Sequence, residues 1–144
     1  TEPYAAGLWA KWGLYRFGEE LVLDHIAVDD TWLVKIGDAN KKTDAILDDE
    51  RAAIEENRFA TQMKPAFDLG GIEFGRADLG IVGGRPVIYE INTNPTFATI
   101  RKHPFPVRNA ASLLFEQRFT DALAAIVISQ PPRRIGRTSC KRYA

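Results

Sequence analysis

The stretch that decides the fold is GRADLGIVGGRPVIYEINTNP, residues 75–95. Its Gly83-Gly84 pair is the strongest hairpin signal in the chain, because glycine readily adopts the positive φ angles that tight β-turns require. The flanking residues, 72–82 and 86–92, are rich in β-branched and aromatic types. The sequence therefore predicts two antiparallel strands joined at the glycine pair.

The two predicted strands each have an apolar and a polar face, because alternate residues of a strand point to the same side. The odd positions are apolar and predict the buried face: Ala77, Leu79, Ile81, Val87, Tyr89 and Ile91. The even positions include the polar residues Arg76, Asp78, Glu90 and Asn92. We expect these four side chains to form a cluster on the opposite face.

The register of the hairpin decides whether this cluster forms. A two-residue turn would pair Val82 with Arg85 and Asp78 with Tyr89, which mixes the polar and apolar faces. A three-residue connection, or an equivalent β-bulge, pairs Asp78 with Glu90 instead and keeps both faces consistent. We therefore expect a loop of odd length or a bulge.

Two carboxylates that face each other across a strand pair repel unless a cation lies between them. Asp78, Glu90 and Asn92 offer only hard oxygen ligands, which suit Mg²⁺ bound together with substrate phosphates. Arg76 adds a planar donor for phosphate oxygens. The alternative is structural: Arg76 would then simply neutralise two acidic residues on a solvated sheet face.

Gly75-Arg76-Ala77-Asp78, followed by the run from Tyr89 to Pro95, YEINTNP, resembles the C-terminal signature of the ATP-grasp superfamily. This superfamily includes D-alanine–D-alanine ligase and glutathione synthetase. The resemblance implies that Asp78, Glu90 and Asn92 bind magnesium ions that bridge the phosphates of ATP. It also implies that Arg76 stabilises the transferred phosphoryl group.

The same resemblance extends more weakly over residues 15–128 and suggests two further site residues. Lys35 lies where ATP-grasp ligases place a polar or basic residue facing the acyl phosphate, which implies a phosphate or transition-state contact. His25 lies where relatives carry an Arg or His that points toward the substrate. The alternatives are a solvated lysine at a strand end and a hydrogen-bonded histidine within the sheet.

The rest of the chain predicts further strands and three helices. Residues 14–17, 21–28 and 32–36 read as an antiparallel meander. Helices are predicted from an N-cap at Asp48 or Asp49 to about residue 60, from near Pro65 to Gly70-Gly71, and over residues 107–129. The expected fold class is α+β: an antiparallel sheet covered by helices on one face, the C-terminal half of an ATP-grasp fold.

The composition of the 144-residue chain is that of one globular domain, which we place at residues 1–130. Residues 131–144 form a basic segment that we expect to be a solvated, disordered tail. A single cysteine excludes an intramolecular disulfide, and no apolar run approaches the roughly 20 residues of a membrane span. We expect a cytoplasmic protein without nucleic-acid or membrane partners, and homo-oligomerisation is left open.

Two functions follow from these observations. The first is a ligase that uses ATP and Mg²⁺ to join a small-molecule carboxylate to an amine or thiol through an acyl phosphate. In that case an N-terminal ATP-grasp subdomain, with the glycine-rich phosphate loop and the adenine-contacting hinge, must complete the site. The second is a truncated, non-catalytic binding or assembly module. Because the chain starts at Thr1 and its one methionine is Met63, we expect it to be part of a longer protein.

Overall fold

Four antiparallel strands form a single sheet in the computed structural model, which describes residues 2–5, 7–96 and 105–129. In chain order the strands are β1 (Trp9–Phe17), β2 (Glu20–Asp29), β3 (Phe74–Val82) and β4 (Arg85–Asn92). Their order in the sheet is β2-β1-β3-β4, so that β1 joins the first hairpin to the second. The predicted tail, residues 131–144, lies outside the described residues.

The helices are α1 (Asp44–Glu56), α2 (Ala60–Leu69) and α3 (Pro106–Ser129), and a short 3₁₀ turn spans Ala39–Lys41. The predicted α+β class and the antiparallel sheet are confirmed. Within the described ranges, none of these helices combines the length and the apolarity that crossing a membrane would need.

The predicted third strand of the meander, residues 32–36, is wrong, because this segment forms bends instead of pairing with β2. The segment is turned back over the sheet by Gly37, which has a φ of +76°. A Cβ at Gly37 would lie 2.9 Å from the backbone nitrogen of Val28, so only glycine allows this approach. The amide of Asp38 donates to the Val28 carbonyl at 2.8 Å and fixes the turn.

Both predicted helix starts in the middle of the chain are wrong. Helix α1 begins four residues before Asp48, because the hydroxyl of Thr43 accepts a hydrogen bond from the amide of Ile46 and caps the helix. Pro65 lies inside α2 and not in its first turn. The predicted end near residue 60 is also wrong, because α1 ends at Glu56 and α2 begins at Ala60. The other two ends agree: α2 stops at Leu69, before the two glycines, and α3 covers the predicted residues 107–129.

The hairpin has the predicted pairs Asp78–Glu90 and Arg76–Asn92, but it reaches them by the bulge and not by a longer loop. Val82 is opposite Arg85 across a two-residue turn, while Asp78 is opposite Glu90. The register shifts between these pairs because Tyr89 is one extra residue on β4. The three-residue connection is therefore wrong, and the bulge alternative is confirmed.

The bulge also changes which residues of β4 face the core. Before it, Ile88 lies opposite Leu79, and after it, Ile91 lies opposite Ala77; both isoleucines pack against the core. The predicted core positions Val87 and Tyr89 are wrong, since both side chains are exposed. The Tyr89 ring instead lies over a glycine, Gly80, on the polar face.

The hydrophobic core lies on both faces of the sheet. The larger cluster packs α1 and α2 against one face, as predicted, and includes Trp12, Leu14, Leu23, Ile26, Ile54, Phe67, Ala77 and Leu79. A smaller cluster on the opposite face joins Tyr15, Phe17 and Val22 to Phe115, Phe119 and Ala122 of α3. Only the first part of α3 contacts the larger cluster, through Ala111 and Leu114. The sequence predicts helices on one face only, whereas the second half of α3 lies on the opposite face from α1 and α2.

A buried charge network links β2, α1 and α3. The side chain of Glu50 is 1% exposed, and its carboxylate accepts hydrogen bonds from the Lys42 ammonium at 2.9 and 3.0 Å. It also accepts from the backbone amide of Ile26 at 3.0 Å, and Arg108 lies 3.6 Å away. Burial lowers the pKa of Lys42, against the opposing effect of Glu50. Removing one member would leave a buried charge without compensation.

We predict that Glu50→Gln lowers the free energy of unfolding by about 3 kcal/mol, because the buried Lys42 ammonium loses its counter-charge. Urea denaturation followed by circular dichroism measures this loss. The control is Glu55→Gln on the same helix, where the ion pair with Arg51 is exposed and should contribute no more than about 0.5 kcal/mol. Equal effects of the two substitutions would contradict the prediction.

Candidate functional site

The polar face of the hairpin centres on Asp78, whose side chain is only 8% exposed. Its Oδ1 accepts two hydrogen bonds from Arg76, from Nε at 2.9 Å and from Nη2 at 2.6 Å. Its Oδ2 lies 2.8 Å from Nζ of Lys11 on β1. Burial raises the pKa of Asp78, but the hydrogen bonds from Lys11 and Arg76 outweigh it and hold that pKa below its usual value. Asp78 is therefore a carboxylate held between two cations.

The other two predicted metal ligands stand on β4, directly across from Asp78 and Arg76. Glu90 is opposite Asp78, and Asn92 is opposite Arg76. Both side chains are exposed. The Oδ1 of Asn92 accepts a hydrogen bond from the amide of Asn94 at 2.8 Å, which fixes the side chain at the start of the following turn. The structure thus brings Arg76, Asp78, Glu90 and Asn92 together on one face, as predicted.

His25 reaches the same face from β2, across a glycine of the strand between. Gly13 is opposite His25 on one side and Asp78 on the other. A Cβ at Gly13 would lie 3.6 Å from Nε of Arg76 and 3.8 Å from Cε1 of His25, so both side chains meet above this residue. Asp24, the extra residue of a bulge in β2, pairs with Nδ1 of His25.

The charges around Asp24 keep it ionised. Burial raises the pKa of Asp24, but the charge and hydrogen bond of His25, with the charges of Arg108 and Arg76, bring that pKa below its usual value. Tyr15, which lies under the Arg76 guanidinium at 5.8 Å from ring centre to Cζ, has a raised pKa because it is buried and faces Asp24. The hydroxyl of Tyr15 donates to the carbonyl of Thr96 at 3.2 Å.

Lys35 joins the site through its backbone. Its side chain is exposed, and its carbonyl oxygen accepts a hydrogen bond from Nζ of Lys11 at 2.8 Å. The role predicted for the Lys35 side chain, a phosphate contact, therefore stays a prediction. Lys11 itself was missed by the sequence reasoning. Its one signal is parity: Lys11, Gly13 and Tyr15 alternate with the core residues Trp12 and Leu14 of β1.

The donor atoms are of the type that Mg²⁺ prefers, because two carboxylates and one amide oxygen lie on a single face. In the part of the chain that the structure describes, no group of three or more acidic, histidine or cysteine side chains is arranged to hold a metal ion. Such a site would therefore use Asn92 as a third ligand and bind a divalent cation weakly by itself, and phosphate oxygens would fill the remaining coordination positions and tighten the binding. It would also need a cation to replace one of the two partners of Asp78.

Comparison with known proteins adds no relationship: the chain matches no protein-family model, and no curated protein matches it significantly. The resemblance to the ATP-grasp superfamily therefore rests on the two motifs and stays a prediction.

We predict different effects on stability for the two facing carboxylates. Asp78→Asn should lower the free energy of unfolding by about 2 kcal/mol, because Lys11 and Arg76 lose a charged acceptor in a mostly buried place. Glu90→Gln should change it by less than about 0.5 kcal/mol or raise it slightly, since it removes the repulsion from Asp78. Thermal and urea unfolding measure both. A larger loss for Glu90→Gln would mark Glu90 as a structural partner instead.

Proposed function

We propose that this chain is the metal-binding half of an ATP- and magnesium-dependent ligase that joins a carboxylate to an amine or thiol. The observation that supports the proposal best is the bulged hairpin, which puts Asp78 opposite Glu90 and Arg76 opposite Asn92 on one face. A plain two-residue hairpin would separate these pairs. The chain maintains an irregular strand and thereby keeps two like charges side by side.

The proposed reaction has two steps. A carboxylate oxygen of the substrate attacks the γ-phosphorus of ATP, the bond from that phosphorus to the β–γ bridging oxygen breaks, and ADP leaves. The amine or thiol then attacks the carbonyl carbon of the acyl phosphate, the bond from that carbon to the phosphate oxygen breaks, inorganic phosphate leaves with the bonding electrons, and the nucleophile releases its proton to solvent. Both steps build negative charge on phosphate oxygens, so a protein accelerates them chiefly by positioning and by positive charge.

The side chains of the polar face have distinct roles in this proposal. Arg76, whose guanidinium is oriented by Asp78 and by the ring of Tyr15, stabilises the phosphoryl group in transfer. His25, oriented by Asp24, lies beside Arg76 and contacts the substrate. Lys35 contributes a phosphate contact at the edge of this face.

Magnesium would be held by Asp78, Glu90 and Asn92, and when bound it supplies charge neutralisation and alignment of the ATP phosphates. The lowered pKa of Asp78 keeps one of these ligands ionised at neutral pH. The remaining contacts to nucleotide, those to adenine and those of the flexible phosphate loop, belong in this proposal to a second ATP-grasp subdomain. ATP would then lie between the two subdomains.

One observation favours the second candidate, a non-catalytic binding or assembly module. Both oxygens of Asp78 already have cationic partners, at 2.6 to 2.9 Å from Arg76 and 2.8 Å from Lys11. A carboxylate that is fully compensated by side chains can be a purely structural element. Turnover by a complete protein distinguishes the two candidates.

We predict that Glu90→Gln lowers ATP-dependent turnover of the complete ligase by at least about a hundredfold, because a metal ligand loses its charge. The assay traps the acyl phosphate with hydroxylamine as a hydroxamate, over a panel of small carboxylates, and follows ADP in parallel. Glu73→Gln, an exposed residue just before β3, is the matched control and should retain turnover. Full activity of the Glu90→Gln protein would overturn the ligase proposal.

A further prediction concerns ATP binding by these 144 residues alone. Because the contacts to adenine and the flexible phosphate loop are assigned to another subdomain, we expect a Kd for MgATP weaker than about 1 mM. Isothermal titration calorimetry measures it. Micromolar binding by this chain alone would show that it contains the whole nucleotide site.

A further inference from the structure

The ammonium group of Lys11 has an unusual position among the charges of the polar face. Its Nζ lies 2.8 Å from Oδ2 of Asp78 and donates at 2.8 Å to the carbonyl oxygen of Lys35. The Lys11 side chain is 14% exposed: its contact with the largely buried Asp78 is shielded from water, whereas its hydrogen bond to the Lys35 carbonyl is exposed. One nitrogen therefore connects the central carboxylate of the site to the loop of residues 32–36.

The two cations on Asp78 hold it in different ways. Arg76 stands on the same strand, makes two bonds to Oδ1 and stacks over Tyr15. Lys11 makes a single contact to Oδ2 from a long, flexible side chain. Oδ2 is therefore the oxygen that a second cation can take over with the smaller rearrangement.

A divalent cation on Oδ2 would repel the Lys11 ammonium, because like charges at contact distance disfavour each other. A shift of Nζ toward solvent by about 1 Å takes both of its contacts beyond hydrogen-bond length. The phosphate groups that accompany the metal offer Lys11 a new partner. Loss of the contact to the Lys35 carbonyl would leave the 32–36 loop, whose Trp32 is 66% and Ile36 92% exposed, with fewer ties to the sheet.

We propose that Lys11 is a positioning residue of the site: it holds Asp78 when no divalent cation is bound, yields Oδ2 to that cation, and thereby releases the 32–36 loop. This inference rests on the proposed function, because it needs a divalent cation at Asp78. It assigns to Lys11 a role that neither motif contains. Binding of a divalent cation at Asp78 then also releases the 32–36 loop.

The test measures Mn²⁺ binding to this chain by the electron paramagnetic resonance signal of the free ion. We expect Lys11→Met, which keeps the length of the side chain without its charge, to bind Mn²⁺ at least about tenfold more tightly than the unmodified chain. Lys11→Arg should restore the weak binding. Lys64→Met, which removes a charge paired with Glu19 and Asp68, is the control and should leave affinity unchanged. Asp78→Asn should abolish the binding in each background.

The second readout is the emission of Trp32, obtained as the difference between each protein and its own Trp32→Phe variant. In the unmodified chain, saturating Mg²⁺ should shift this emission. In Lys11→Met the emission should already lie at the shifted position and should not respond to Mg²⁺. If Lys11→Met does not give the circular dichroism spectrum of the parent, Lys11→Gln replaces it, with the same expectations.

The outcomes separate this inference from the proposed function. Equal, Asp78-dependent Mn²⁺ affinities with and without the Lys11 charge would overturn the role of Lys11 and leave the metal site in place. Tighter binding by Lys11→Met without any change in Trp32 emission would overturn the link to the loop. No Asp78-dependent binding in either protein would overturn both the inference and the metal site on which the proposed function depends.

Discussion

One extra residue in β4 is the constraint on which the polar face of the hairpin depends. The strand bulges at Tyr89, where the register shifts between the pairs Asp78–Glu90 and Leu79–Ile88. The bulge lets Ile88 and Ile91, three positions apart, both reach the core, although regular alternation would send them to opposite sides. It also puts Glu90 opposite Asp78. The same bulge therefore allows both the packing of the core and the formation of the polar cluster.

On the polar face, positive and negative side chains from three neighbouring strands compensate one another. Asp78 on β3 has Lys11 from β1 on one side and Glu90 from β4 on the other, with Arg76 above it. Burial raises the pKa of Asp78, and the two cations together outweigh this effect and hold the pKa below its usual value. In the proposed function, a metal ion with its phosphates would change this balance of charges.

The network around Glu50, which contacts β2, is a purely structural charge network in the same protein. Glu50 is almost completely buried, and it accepts hydrogen bonds from Lys42 and from a backbone amide of β2. This network ties β2 to α1, with Arg108 of α3 alongside. At the candidate site, by contrast, Glu90 and Asn92 are exposed on an edge strand. The exposure of these two side chains beside the buried Asp78 distinguishes the candidate site from the Glu50 network.

The sequence by itself determined the second hairpin, the long helix α3 and the polar face, because glycine turns, apolar periodicity and parity are local properties of the chain. It also limited the register to a choice between a longer loop and a bulge. Only the tertiary structure decided for the bulge, since the preference for burying Ile88 over Tyr89 depends on what packs against β4.

The same holds for the 32–36 segment, which has the residue types of a strand but forms bends, and the chain then returns to β2 through the close contact of Gly37 with Ala27 and Val28. Lys11 could not be assigned from the sequence, because its partner Asp78 is 67 positions away and meets it only when β1 pairs with β3. Such long-range pairing depends on the whole packed sheet and leaves no local pattern in the chain.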